Sequence, residues 1–195
     1  MNKQRHLSTA LLMLAGAALL PFAGTASATI LTSPVYAGPI KAESEGTTSI
    51  HNSSLGVSVS CGKSTFEGEV ETFGASIPVS AALSSLTFSE CEASHVTIKK
   101  PGTIEIHATS GGDGTVTWTG AELTITATAG GISCTYTTSS TDIGTLTGSE
   151  TPEGEATIDI NAATIPRTGD SIFCGSKGEW TASYKIITPP SLLVD

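Results

Sequence analysis

Residues 102–136 read GTIEIHATSGGDGTVTWTGAELTITATAGGISCTY, and the fold class is decided there. Ile104, Ile106 and Ala108 alternate with Glu105 and His107, and Val116 and Trp118 alternate with threonines. Leu123, Ile125 and Ala127 repeat the pattern, and Ile132, Cys134 and Tyr136 complete it. A period of two puts the apolar set on one face of a strand and the polar set on the other. Gly111-Gly112-Asp113-Gly114, Gly120-Ala121 and Gly130-Gly131 separate the runs and supply the positive-φ residues of tight reversals. The reading is an antiparallel meander with one wet face.

The same alternation extends in both directions. Leu55, Val57, Val59 and Cys61 form one run, and Phe66, Gly68 and Val70 return against it with Glu67, Glu69 and Glu71 on the opposite face. Leu86-Thr87-Phe88, then Val96 and Ile98, lead into the central stretch. Beyond it come Ala156, Ile158, Ile160 and Ala162, and finally Trp180, Ala182, Tyr184 and Ile186. Residues 74–85 (GASIPVSAALSS) lean towards helix, but Pro78 and the serines make them a loop. About ten short strands with turn signals between them predict an all-β fold, an antiparallel β-sandwich of Greek-key or meander type.

The chain start is different. Lys3, Arg5 and His6 precede the apolar run LLMLAGAALL at 11–20, and Ala26-Ser27-Ala28 is a small-x-small cleavage site. These are the three parts of a secretory signal peptide. Pro21 and Gly24 cut the run short of the ~20 apolar residues a spanning helix needs. The expected organisation is a signal peptide over 1–28, a flexible lead over 29–53 and one sandwich domain over 54–195, with cleavage between Ala28 and Thr29. No transmembrane anchor is expected in the mature chain. Without the leader, seven Lys and Arg face eighteen Asp and Glu, a formal charge of −11. Such a surface repels nucleic acid and anionic lipid.

Cys61, Cys91, Cys134 and Cys174 all follow the leader, at gaps of 30, 43 and 40 residues. Zinc sites use close pairs such as C-x-x-C, so these gaps favour two disulfides in an oxidising compartment. Three connectivities are open. Val-Ser-Cys61 and Ile-Ser-Cys134 each precede a cysteine in a phenylalanine-containing run, Phe88-Ser-Glu-Cys91 and Phe173-Cys174. This repeat of pattern favours Cys61–Cys91 and Cys134–Cys174.

Candidate chemistry is sparse. Glu67, Glu69 and Glu71 would sit ~6–7 Å apart along one strand face, a spacing open to calcium or to the paired acids of a glycosidase. The plainer reading is an exposed, charged strand face that blocks edge pairing. His51, His95 and His107 are solitary, and Trp118 and Trp180 fall on apolar faces as core anchors. Asn52-Ser53-Ser54 matches a glycosylation acceptor by chance. No catalytic, metal or cofactor-binding residue is assigned.

The segments KPGTIEIHATSGGDGTVTWTGAELTIT, GGISCTY, TDIGTLTG, ATIDINA, IPRTG and SIFCGSKGEWTASYKI span Leu86 to Val194 with their flanks. This region resembles uncharacterised exported proteins of high-GC soil actinobacteria. The resemblance implies export and a β-rich fold, and it brings no activity. The expected protein is a secreted or surface-associated, non-enzymatic structural or binding protein, with an envelope or extracellular partner. The alternative is a small secreted hydrolase of polysaccharide using Glu67, Glu69 or Glu71 as acid and base. Mass spectrometry of the exported protein should find its N-terminus at Thr29, and an intact Met1 would remove the leader from the argument.

Overall fold

The computed structural model describes residues 36–52, 57–71, 78–109, 111–149, 154–169 and 171–192. The leader, its cleavage site and Leu55 lie outside the described residues. Twelve strand segments follow one another: β1 (Pro39–Ser44), β2 (Thr48–Asn52), β3 (Val57–Val70), β4 (Val79–Glu92), β5 (Ser94–Lys100), β6 (Thr103–Ala108), β7 (Gly114–Thr119), β8 (Glu122–Ala127), β9 (Ser133–Thr137), β10 (Thr141–Thr147), β11 (Thr157–Thr168) and β12 (Lys177–Thr188). All ladders between them are antiparallel.

These segments close into an eight-stranded barrel with additional strands, and the two-sheet sandwich expected from the sequence is not formed. Closure comes from β12. It pairs with β11 on one side (Ile158↔Tyr184) and on the other with β1 (Ala42↔Ile186) and β2 (Ile50↔Trp180). β1 and β2 also both pair with β3, at Ala42↔Phe66 and Ile50↔Val59, so they fill one track end to end. Residues 39–52, expected in a flexible lead, therefore complete the barrel. Of residues 74–85, expected to be a loop, 74–77 lie outside the described residues and 79–85 belong to β4.

Three further tracks are broken in the same way. β5 runs into β6, β7 into β8, and β9 into β10, and the registers carry through each break. Trp118 faces Thr141 in the β7–β10 ladder, and four residues on Glu122 faces Thr137 in the β8–β9 ladder. The barrel thus has an upper half, walled in part by β6, β7 and β10, and a lower half walled by β5, β8 and β9. At the bend between β5 and β6, Gly102 has φ +75°, and a Cβ there would stand 2.4 Å from the Thr119 carbonyl oxygen. Only glycine satisfies both conditions. β5 pairs with β8 alone, so a seam without a ladder runs between β4 and β5.

Alternation makes the interior apolar. Ile104 and Ile106, Val116 and Trp118, Leu123 and Ile125, and Trp180, Ala182, Tyr184 and Ile186 are buried, as their phase predicts. Rings fill the middle of the barrel. Trp180 lies 5.1 Å from Trp118 and 6.1 Å from Tyr184, and Tyr184 lies 5.3 Å from Phe66. The tilted and edge-on arrangements are those that aromatic quadrupoles favour. The Trp118 indole donates to the Pro101 carbonyl at 2.7 Å, and the hydroxyls of Ser64 and Tyr184 share a hydrogen bond at 2.7 Å.

Two disulfides complete the fold, Cys61–Cys91 and Cys134–Cys174. The first joins directly opposed positions of β3 and β4, and the second ties β9 to the turn between β11 and β12. They close chain separations of 30 and 40 residues, which on the chain-entropy account stabilises by about 3.5–4 kcal/mol each. Replacing either pair by serines should cost up to about 4 kcal/mol in urea unfolding. A loss below about 1 kcal/mol from both pairs would contradict this.

Candidate functional site

The lower half of the barrel is not filled as the middle is. There, Ile50 and Asn52 of β2, Val59 of β3, Ser94 of β5, Ile125 and Ala127 of β8, and Cys134 and Tyr136 of β9 surround a cavity of about 60 Å³, with Ile132 and Phe173 completing its lining. Every one of these strands contributes through its inward phase, so the cavity belongs to the barrel interior at its mouth. Mouths of small barrels are recurrent sites for small molecules. Ala127 helps to leave the space open, occupying a position that Leu123 and Ile125 fill with larger side chains on the same strand. Gly178 of β12 would place a Cβ 3.2 Å from Ile50 Cγ2 and 3.3 Å from the Tyr136 ring, so its missing side chain lets those two pack close to β12.

The polar side chains lining the cavity are few and neutral. The Asn52 side-chain amide donates to the Tyr136 hydroxyl at 3.2 Å, and both residues are buried. The Ser94 hydroxyl donates to the Ala93 carbonyl at 2.7 Å. Burial pushes the Tyr136 phenol above its ordinary value, partly opposed by the Asn52 hydrogen bond and the nearby Arg167 charge. Among the described residues no acidic or basic side chain lines the cavity.

Its rim is the turn between β11 and β12. Phe173 is 55% exposed and Ile172 86% exposed, unusual for large apolar side chains. The turn is nonetheless fixed. Cys174 is bonded to Cys134, and the Arg167 guanidinium donates to the carbonyls of Ser171 and Cys174. Arg167 also lies opposite Tyr136 in the β9–β11 ladder, so rim and lining share one scaffold.

The residues singled out from sequence lie elsewhere. Glu67, Glu69 and Glu71 are exposed on the outer side of the wall, and Lys41 sits 3.2 Å from both Glu67 and Glu43. The two carboxylates, Glu67 first, hold the Lys41 ammonium above its ordinary range. His107 stands 4.0 Å from Glu105 on the outer face, and His51 bonds the Ser58 hydroxyl at 2.7 Å. Asp113 of the GGDG turn accepts from the Gly148 amide at 3.0 Å. Among the described residues no group of three or more His, Cys, Asp or Glu is placed to hold a metal ion. Among the same residues no helix is long and apolar enough to cross a membrane. Trp118 and Trp180 are core anchors, as expected. Sequence reading missed Asn52, Ser94, Tyr136 and Phe173 as one constellation; the signal it held was the apolar pair Ile172-Phe173 inside a turn.

No family model, no curated protein and no solved structure matches this chain.

The buried phenols give the fold a pH signature. Burial raises both Tyr184 and Tyr136 above the ordinary tyrosine value. In the unfolded chain they ionise near pH 10, so the stability they contribute is complete below that pH. It is lost as pH rises above 10, because the unfolded state releases protons that the folded state retains. Urea unfolding followed from pH 8 to 11.5 should show stability falling above pH 10, and Tyr136→Phe and Tyr184→Phe should each flatten that fall.

Proposed function

We propose that this chain is an exported, non-enzymatic binding protein of the bacterial extracellular space or envelope, and that it binds in the mouth of its barrel. The observation that carries the reading is the cavity itself. It is a space inside a closed barrel, lined by inward side chains of five strand tracks and bordered by an exposed phenylalanine on a pinned turn. Two disulfides are consistent with an oxidising environment outside the cytoplasm. The leader-like first 28 residues and the resemblance of the region from Leu86 to Val194 to exported actinobacterial proteins support the same placement.

The hydrolase reading draws less support. Glycosidases set two carboxyl groups across a cleft ~5–9.5 Å apart. Glu67, Glu69 and Glu71 share the outward face of the wall, and Glu67 is engaged by Lys41.

Xenon enters apolar cavities and reports on them without needing the natural ligand. Under xenon pressure, the methyl resonances of Ile125, Ala127 and Ile132 should shift in the wild-type protein. They should shift equally when Glu67, Glu69 and Glu71 are all replaced by Gln, and not in Ala127→Leu, where the added carbons fill the space. Release of reducing sugars from a polysaccharide panel by the wild type, lost in the triple variant, would establish the hydrolase instead.

A further inference from the structure

We infer that the mouth takes a compact, uncharged, largely apolar molecule bearing one hydrogen-bond acceptor, oriented by the Asn52–Tyr136 pair. The inference rests on the binding reading above and names the ligand class for the same cavity. Size is the first argument. A cavity of about 60 Å³ has room for roughly four waters at ~15 Å³ each and is well below the ~150 Å³ of an apolar cavity that holds benzene, so the occupant is a molecule of a few heavy atoms.

Charge is the second. Among the described residues the lining holds no ionisable acid or base except a phenol whose ionisation burial opposes, and the nearby Arg167 is engaged by the Ser171 and Cys174 carbonyls, so an ion entering the cavity would lose its hydration with no countercharge in the lining itself. Aliphatic groups from Ile50, Val59, Ile125, Ala127 and Ile132 instead reward an apolar body.

The third argument is orientation. The Tyr136 hydroxyl accepts a hydrogen bond from the Asn52 amide, and it keeps its own hydrogen to donate. The Asn52 contact polarises that O–H, since a hydroxyl that accepts becomes a better donor. A ligand oxygen placed against it gains a directed bond in a dry site, where hydrogen bonds discriminate most strongly. An apolar molecule of the same shape lacks that bond.

Three probes of four heavy atoms separate these arguments: acetone, isobutane and acetate. Each is titrated into the disulfide-bonded mature protein and followed by amide and methyl shifts at Ile125, Ala127, Ile132 and Tyr136. Acetone and isobutane should bind, and acetate should produce no saturable shift. Tyr136→Phe, checked for an unchanged fold by its amide spectrum, should weaken acetone roughly three- to tenfold and leave isobutane unchanged. Ala127→Leu should abolish both. Acetate binding as well as acetone, or acetone binding unaltered by Tyr136→Phe, would overturn the ligand class. Xenon shifts at the mouth without binding by either neutral probe would overturn the ligand class and leave the mouth as a cavity; loss of xenon shifts as well would overturn both.

Discussion

The pairing of β12 with β1 and β2 is the constraint on which the rest depends. A sheet of this length left open would present two rows of unpaired backbone groups, and closure removes them. It also fixes what the alternation means. In a closed barrel one phase of every strand must face a shared interior, so Ile50, Val59, Trp118, Tyr136 and Trp180 become neighbours although they are scattered along the chain. Without the 39–52 track, β3 and β12 would lose their common partner, and the interior would open along its length.

The interior is then divided by side-chain size. Trp118, Trp180, Tyr184, Phe66 and Phe88 occupy the middle in a contiguous ring network. Towards the mouth the strands carry Ser94, Ala127 and Gly178, and the rings of Tyr136 and Phe173 line the remaining space without filling it. Eight strands enclose a space just wide enough to be filled or to hold one small ligand, so the choice of a few residues decides which. Both disulfides lie in this lower half, beside the β4–β5 seam and across the rim. They stand where the ladder is incomplete and the packing looser. Covalent closure restores there the rigidity that ring packing gives the middle.

Much of this architecture was legible in the residues, and the limits have physical causes. Period-two alternation marks strands because it reflects burial on one face, and it placed the buried sets of β6, β7, β8 and β12 correctly. It cannot distinguish a barrel from a sandwich, because both bury one face of each strand; the difference lies in whether the first and last tracks meet. That information sits in residues 39–52, where Pro39, Gly46 and a polar run hide two strands that only the pairing with β3 and β12 makes regular. The cysteine pairs followed from similar local surroundings. The candidate site was the least readable part, since Asn52, Ser94, Tyr136 and Phe173 look like ordinary strand and turn residues until closure brings them together. The conspicuous carboxylates Glu67, Glu69 and Glu71 gave the opposite lesson, standing on the outer wall beside Lys41.

Charge finally connects the outer wall to the mouth. The acidic residues outnumber the basic ones, and none of the described ones is buried, so water screens them over a Debye length of about 8 Å at physiological ionic strength. Among the described residues no basic side chain lines the cavity, and Arg167 at its rim is engaged by the carbonyls of Ser171 and Cys174. An anion is therefore disfavoured twice, by repulsion during approach and by lost hydration on entry. A cation is drawn to the wall, but among the described residues the cavity lining gives it no carboxylate to follow inward. A neutral molecule meets neither barrier and gains from apolar contact once inside. The same separation keeps an acidic outer wall compatible with a dry, uncharged interior, and it makes neutrality of the ligand a property of the whole barrel as much as of the few residues that would touch it.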